Sequence, residues 1–415
     1  MDTTLPHQTA ALCMALLFAG PMMAQELAYE LISMGPGSAN ALFYSLGEGV
    51  VGESPVDSWE VSFDVRPMGS TARINGAMGM TLYPFDLLDG WDSATLDGWD
   101  MGEAYLNDPS DWGLGAFGQG GDGLFDLGWG NYDLVTHIVT ADSMYLMEMG
   151  DGTWKKVALL GLQGGTYTFR HANLDGSNDI TLEVNKDDHE GKLQAYYNLT
   201  TNEMVDFEPA DSWDMVFTKY IEYVVLPDFG EQAYPVTGCL THPNVGVLQR
   251  DGLTNPVVDG TFTTEEMSFA SNEVGHDWKT WTGAGYDIAS DRCYFVQSQT
   301  GDVWRLLFTD YGGSATGDIE LGKALESGSS VAEGGVMRQQ VEVFPNPAEK
   351  HGTITLKADH PILDIQLWNI AGQRLHPHAQ GLRSLSATVT GLESGLYVSQ
   401  ILTSGGSSHK RILVQ

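Results

Sequence analysis

A seven-residue segment built around a tryptophan occurs twice in this 415-residue chain. Residues 57–63 read DSWEVSF, and residues 211–217 read DSWDMVF, 154 positions further on. Weaker matches follow in the same order: Tyr132-Asp133 with Tyr286-Asp287, Met144-Tyr145 with Cys293-Tyr294, and Trp154 with Trp304. Ordered matches at a nearly constant offset indicate a duplicated unit of about 150 residues. The alternative is two unrelated β segments that carry similar hairpins.

The repeated segment predicts a strand, and the two copies are predicted to span residues 27–184 and 193–324. Trp59, Val61 and Phe63 fall on one side of an extended chain and polar residues on the other, which is typical of a half-buried strand. Glycine is abundant at 50 residues, and 11 Trp and 16 Tyr accompany it, a composition that favours strands and turns. Neither copy shows sustained helical periodicity with caps. We therefore expect an all-β fold of two mostly antiparallel domains.

The charge of the chain is strongly acidic outside its last 80 residues. Residues 336–415 hold seven Lys/Arg and five Asp/Glu, so the remainder of the chain carries a net charge of -37. Such a field repels nucleic acid and anionic membrane surfaces, and it favours solubility. A solvated acidic surface is the ordinary interpretation, with cation binding as the alternative.

Residues 1–25 resemble a secretory signal peptide. Residues 10–19 form an apolar run that is too short to span a bilayer, although the segment before it lacks Lys and Arg and contains Asp2. No other segment is apolar enough to cross a membrane. Of the three cysteines, Cys13 lies in the predicted signal peptide. Cys239 and Cys293 allow one disulfide at most, and two small buried thiols are the ordinary expectation.

Residues 85–131 are crowded with Asp, Gly and Trp and predict a long ordered loop or several short hairpins. The Asp-Gly pairs are turn formers, and the Trp rings are expected to hold the loop against the sheet. The Asp side chains are possible calcium ligands, but no spacing fits an EF-hand loop. Another Asp- and Asn-rich run at 173–179 is expected to be a turn first and a cation loop second.

The last part of the chain changes character. Residues 325–338 predict a linker, and residues 341–415 predict short alternating strands separated by close turns, which is typical of a small Ig-like β-sandwich. Four motifs in this part resemble those of a type A sorting domain of the type IX secretion system: VFPNP at 343–347, LWNIAGQ at 367–373, GLESGLY at 391–397 and KRILV at 410–414.

This resemblance implies export and a set of partners. It implies passage through the Sec translocon, recognition of the tail by the type IX secretion machinery, and a secreted or outer-membrane cell-surface location on a Gram-negative bacterium. The tail residues that carry the predicted sorting signal are Pro345, Asn346, Pro347, Gly395, Leu396, Tyr397 and Lys410.

Each of the two copies resembles an HmuY-like domain, on the two Trp strands and on the segments Ile74-Asn75-Gly76 and Val236-Thr237-Gly238. That family implies haem held by two axial His or Met side chains. In the first copy His137 and His171 flank the central hairpin and are the candidate ligands, whereas His242 and His276 of the second copy are poorer candidates. Methionines offer alternatives but are more often core residues: Met68, Met78, Met80, Met144, Met147 and Met149.

Motifs of common enzyme classes are absent from the sequence. There is no Gly-x-Ser-x-Gly elbow, His-Glu-x-x-His pair, nucleotide-binding glycine loop or Cys-x-x-Cys pair. Acidic pairs such as Asp187-Asp188 could mimic the carboxylates of a glycosidase, but such pairs are common at turns. We therefore expect a non-enzymatic, exported ligand-binding protein with haem as the named ligand. The alternative is a structural or adhesive surface protein without a cofactor.

Overall fold

The computed structural model describes residues 27–122, 125–210, 213–226, 229–327, 341–358, 362–369, 374–375, 378–380, 384–403 and 406–415. These residues form two compact units. We call residues 27–120 and 128–327 the body, and residues 341–415 the tail; residues 121–127 group with the tail. The predicted signal peptide 1–25, residues 211–212 of the repeated segment and most of the predicted linker lie outside the described residues.

The body is built from strands, as predicted. Its strands are β1 (Ala28–Ser33), β2 (Asn40–Ser45), β3 (Gly49–Pro55), β4 (Val61–Asp64), β5 (Ala72–Ile74), β6 (Thr81–Leu87), β7 (Gly130–Tyr132), β8 (Val139–Ala141), β9 (Ser143–Glu148), β10 (Trp154–Gln163), β11 (Thr166–Asn173), β12 (Ile180–Asn185), β13 (Gln194–Asn198), β14 (Glu203–Val205), β15 (Met215–Leu226), β16 (Gly230–Thr241), β17 (Gly246–Arg250), β18 (Lys279–Trp281), β19 (Tyr286–Ile288), β20 (Cys293–Gln297), β21 (Val303–Tyr311) and β22 (Asp318–Ser327). Its helical turns are the α-helix α1 (Gly313–Thr316) and the 3-10 turns Gly76–Met78, Leu88–Ser93, Ala116–Gly118, Lys186–His189 and Thr264–Glu266.

The body strands form two outer and two inner antiparallel sheets. The first outer sheet has the order β1-β22-β21-β20-β17, and the first inner sheet has the order β16-β15-β2-β3. The second inner sheet is β14-β13-β4-β5, and the second outer sheet is β12-β11-β10-β8-β7, with β9 pairing both β10 and β6. Strands β18 and β19 form a separate hairpin.

The inner sheets are buried on both faces because they are packed between other sheets. In β2, Leu42 and Tyr44 belong to the core shared with the first outer sheet, whereas Ala41 and Phe43 belong to the core between the inner sheets. In β4, Ser62 is as buried as its apolar neighbour Phe63. The expectation of half-buried strands was therefore wrong here, since the polar side of each strand faces a second layer of protein.

The two halves of the body have equivalent strand orders. One pair of sheets becomes the other when each strand is replaced by its counterpart: β4 by β15, β5 by β16, β6 by β17, β9 by β20, β10 by β21, β11 by β22, β12 by β1, β13 by β2 and β14 by β3. Hydrogen bonds match as well: the Glu60 carboxylate accepts from the backbone N–H of Leu199 at 2.7 Å, and the Asp214 carboxylate accepts from that of Leu46 at 2.9 Å. These matches support the predicted repeat, which stays an inference, and they change the position of its units.

The observed sheets do not follow the predicted boundaries at 27–184 and 193–324. Strand β1 pairs with β22, and β2 pairs with β15, so residues 28–55 complete sheets that are otherwise formed after residue 213. Similarly, β13 pairs with β4. Each half therefore begins near a Trp-bearing segment, and the chain's first three strands close the second half.

In the predicted loop of residues 85–131, which the structure describes except for 123–124, tryptophans hold the chain against the sheets, as expected. The indole N–H of Trp129 donates to the carbonyl of Ser70 at 2.8 Å, and that of Trp112 donates to the carbonyl of Thr241 at 2.8 Å. Trp91 and Trp129 are buried. The loop thereby covers the β5 region of the body and reaches the first inner sheet.

The tail is a β-sandwich of two four-stranded sheets around one core, as predicted. One sheet has the order β23-β24-β28-β27 and the other β26-β25-β29-β30. Its strands are β23 (Val341–Phe344), β24 (Ile354–Ala358), β25 (Ile362–Asn369), β26 (Arg374–Leu375), β27 (His378–Gln380), β28 (Ser386–Thr390), β29 (Gly395–Thr403) and β30 (Gly406–Val414).

Candidate functional site

An open cleft in the body lies between the outer end of the β15–β16 hairpin and the β18–β19 hairpin. We call it the aromatic cleft, and its volume is about 920 Å³, near the upper end of the roughly 300–1,000 Å³ that is typical of ligand sites. One wall carries Val224, Leu226 and Tyr234, and the other carries Trp281 and Tyr286. The floor is formed by the end of β21 and by α1.

The length of the β15–β16 hairpin creates this cleft. Strands β15 and β16 have 12 residues each, whereas the equivalent strands β4 and β5 have four and three. Residues 230–235 at the outer end of β16 are exposed because they extend beyond the core. The other half of the body has no counterpart to this extension, so the cleft distinguishes the two halves.

Three aromatic rings line the cleft in contact with one another. Trp281 lies opposite Tyr286 across the β18–β19 hairpin, with ring centroids 5.1 Å apart, and Tyr286 meets Tyr311 at 4.8 Å. Gly313, at a φ of +65°, permits this contact, since a Cβ there would lie 3.1 Å from the Tyr286 ring. Trp281 nevertheless remains 58% exposed and Tyr234 49% exposed. Large rings left uncovered in a concave site are typical of ligand recognition.

A lysine lies beneath these rings. Lys279 donates from Nζ to the carbonyl of Thr237 at 2.6 Å and to that of His276 at 3.3 Å. Its ammonium also lies 4.2 Å from the centroid of Trp278 and 4.8 Å from that of Tyr311. Burial lowers the pKa of Lys279 to about 7. The side chain of Lys279 therefore already occupies the space over these two aromatic faces.

The polar rim of the cleft is partly neutral and partly paired. Burial lowers the pKa of His276, so its imidazole is neutral at neutral pH. The Asp277 carboxylate forms an ion pair with Arg292 at 3.0 Å. The hydroxyl-bearing residues Thr237, Thr280 and Ser314 also line the cleft. These groups can donate and accept hydrogen bonds without adding a net charge.

The structure does not bring the two predicted haem ligands together. His171 is buried, stacks on Phe169 and lies 3.2 Å from the hydroxyl of Tyr197. His137 is exposed in the β7–β8 turn, where its Nδ1 lies 2.6 Å from the hydroxyl of Tyr132. Along β10, His171 is level with Val157, whereas the β7–β8 turn lies beyond Leu162.

That register separates the two rings by about six residues of strand, roughly 20 Å at about 3.3 Å per residue. One iron atom therefore cannot be held between them. Burial also lowers the pKa of His171 to about 4. Its position in the core and its contact with Tyr197 make it a packing residue.

The other suggested ligands are dispersed. Met80, Met144, Met147 and Met149 are buried, while Met68 is 85% exposed. Met78 packs at the edge of the core between the inner sheets. His242 lies against Trp213, with ring centroids 5.0 Å apart. Of the suggested histidines and methionines, His276 is the one that lines the aromatic cleft.

A smaller cavity lies between the two inner sheets. Trp59, Arg73, Tyr196 and Phe207 line it, and its volume is about 70 Å³. That space is well below the roughly 300 Å³ of a typical ligand pocket, and it suits ordered water. Arg73 fills one side and donates to the carbonyls of Asp108 and Asp111. We therefore do not assign a ligand to this cavity.

Three further features concern the cysteines, groups of metal-binding side chains and membrane-spanning helices. Cys239 and Cys293 are free and buried. Across the described ranges, no group of three or more His, Cys, Asp or Glu side chains could hold a metal ion. Within the same ranges, no helix is long and apolar enough to cross a membrane.

In the tail, the structure places the opening and terminal motifs side by side. The side-chain oxygen of Asn346 accepts from the backbone N–H of Leu413 at 2.9 Å, and Ala348 bridges Val414. Tyr397 lies opposite Ile412 in the β29–β30 pair. The remaining predicted signal residues lie on the same elements: Pro345 and Pro347 are exposed beside Asn346, Gly395 and Leu396 begin β29, and Lys410 lies in β30 opposite Ser399.

The comparisons with known proteins identify the tail. Residues 342–415 match the family described as "Secretion system C-terminal sorting domain". The chain therefore carries a type IX sorting tail, and the protein is secreted or displayed at the cell surface through the type IX machinery.

The comparisons do not identify the body. No curated protein matches the chain. A solved structure described as a polysaccharide lyase is 12% identical, with a TM-score of 0.15. The match covers 94% of this chain and 46% of the other, so the chain spans less than half of that protein's length. A likeness at this score carries no argument, and the comparisons do not show the resemblance of the body to HmuY-like domains.

Sequence reasoning missed the aromatic cleft. Its rings come from positions 234, 281, 286 and 311, which no single motif connects. One local signal was present: Trp281 and Tyr286 flank the segment TGAG, which predicts a short hairpin with an aromatic pair across it. The long β15–β16 hairpin, which supplies the other wall, becomes visible only in the structure.

Proposed function

We propose that this exported protein is a ligand-binding protein and that its ligand occupies the aromatic cleft. The observation that carries the proposal is the exposed, mutually contacting pair Trp281–Tyr286 facing a hairpin that extends beyond the core. Large apolar rings that are exposed together in a concave site mark a ligand-binding groove. We keep the expectation that the protein binds without catalysis.

A panel of ligands tests this proposal. The purified full chain and its Trp281→Ala variant are compared for binding to neutral polysaccharides, acidic polysaccharides, peptides and haem. We expect at least one class to bind the wild-type protein and to lose affinity in the variant, with haem binding read from a Soret band. If no class distinguishes the two proteins, the cleft is not a ligand site.

The second candidate is a structural or adhesive role at the cell surface. The tip of the β15–β16 hairpin favours it, since Val225 and Phe229 are 77% and 75% exposed. A Val225→Ser/Phe229→Ser variant separates the two functions. Loss of cell adhesion with unchanged ligand binding would support the adhesive role, and the opposite result would support the cleft.

A further inference from the structure

The ligand of the aromatic cleft is constrained first by charge. The Lys279 ammonium already occupies positions over the faces of Trp278 and Tyr311. A cationic ligand would find these aromatic faces, which attract cations, already covered by the Lys279 side chain. A polyanion would be repelled, because the first 335 residues of the chain carry a net charge of -37. A neutral ligand avoids both penalties.

The geometry of the rings provides the second constraint. The Trp281 and Tyr286 planes are inclined by 58°, and the Tyr286 and Tyr311 planes by 72°. A flat aromatic ligand is held best between parallel faces, which this arrangement lacks. The rings instead offer separate apolar faces at successive steps along the cleft. Ligands with several small apolar faces in sequence match this arrangement.

The third constraint is the mixture of rings and hydroxyl groups. Thr237, Thr280 and Ser314 line the same cleft as the aromatic faces. A sugar ring presents C–H groups on its face and hydroxyl groups at its edge, so it can stack on an aromatic ring while its rim forms hydrogen bonds. The cleft is also open to solvent, with a volume of about 920 Å³, so a bound chain can extend out of it.

We infer that the aromatic cleft binds a neutral polysaccharide chain, with sugar rings stacked on Trp281 and Tyr286. This inference rests on the proposed function of the same cleft and specifies its ligand. Tyr234, which is 49% exposed, lines the same cleft and offers a further ring. Lys279 packs against Tyr311 and supports that ring.

Affinity electrophoresis tests the inference. The full chain is run in gels that contain xyloglucan, galactomannan or mixed-linkage β-glucan, and in matched gels with polygalacturonate or alginate. We expect retardation by at least one neutral polymer and none by the acidic ones. Trp281→Ala and Tyr286→Ala should each weaken the binding about tenfold, as the loss of one aromatic contact does.

The matched control is Tyr29→Ala, because Tyr29 is 56% exposed on β1, away from the cleft, and its removal should leave the binding unchanged. Near-ultraviolet circular dichroism checks that all variants are folded. Preferential binding of the acidic polymers, or of none of the neutral ones, would overturn the inference. If haem or a peptide binds instead and depends on Trp281, the polysaccharide inference fails while the proposed function stands.

Discussion

Replacing the two repeated tryptophans should have unequal effects, although their sequence contexts are nearly identical. Trp213 is 2% exposed and packs against Phe43 at 5.3 Å, and its indole N–H donates to Glu208 at 3.2 Å. Trp59 is mostly buried and packs against Tyr196 at 5.0 Å. The sequence predicted that both would be largely buried; Trp213 is fully buried, and Trp59 packs against the same core with only a minor part of its surface exposed.

The expected costs follow from the buried area. A fully buried Trp removes about 200 Å² from water, which is worth about 5 kcal/mol at about 25 cal/mol per Å². This agrees with the roughly 3–5 kcal/mol known for Trp→Ala in cores. Trp213→Ala also leaves the buried Glu208 short of a donor, at about 1–3 kcal/mol. Trp59, which keeps a minor part of its surface exposed, should cost about 4 kcal/mol by the same area relation.

Urea unfolding of the full chain, followed by near-ultraviolet circular dichroism, measures both costs. We expect Trp213→Ala to lower the free energy of unfolding by at least about 2 kcal/mol more than Trp59→Ala does. Trp213→Phe separates the ring from its hydrogen bond. An equal or larger loss in Trp59→Ala would show that packing around the two segments is not as the structure has it.

Three further predictions concern the tail, the first strands and Lys279. Deleting residues 341–415 should leave a folded protein in the periplasm, because the tail is a separate compact unit; wild-type secretion of the truncated protein, measured by cell fractionation, would contradict this. Deleting residues 27–55 should unfold the second half of the body, because β22 and β15 lose their partners β1 and β2. If hydrogen exchange shows native-like amide protection in residues 293–325 of this variant, β1–β3 are not needed to complete the second half. The pKa of Lys279 is lowered to about 7 from 10.5, so the folded state binds fewer protons than the unfolded chain between these values. The free energy of unfolding should therefore rise with pH across this window, and Lys279→Met should flatten the rise. If the slope is the same in the variant, the titration of Lys279 does not cause the pH dependence.

The tail was predictable because its signals are local. VFPNP, GLESGLY and KRILV each fall within a few consecutive residues, and the structure joins the first and last through Asn346 and Leu413. The all-β class was also predictable, because the alternation around Trp59 and the abundance of glycine are properties of the sequence itself. Neither prediction required knowledge of which strands pair.

The remaining features depend on distant pairings. The exchange of β1–β3 into the second half could not be inferred, because strand pairing between residues 28 and 323 leaves no local signal. The same holds for the burial of both faces of β4. His137 and His171 flank one hairpin in sequence, but the register of β10 places them at different levels. The cleft also depends on distant pairings, since Lys279 and Tyr311 come into contact only after folding.

The central claim, that the aromatic cleft is the ligand site, is tested most directly by oxidative footprinting of Trp281. The full chain is oxidised in solution with and without the bound polysaccharide, and the oxidation of each tryptophan is measured by mass spectrometry. Trp281 is 58% exposed without ligand, so it should react readily alone and be strongly protected in the complex, while Trp59 keeps its reactivity. Equal oxidation of Trp281 in the free and bound protein would contradict the claim.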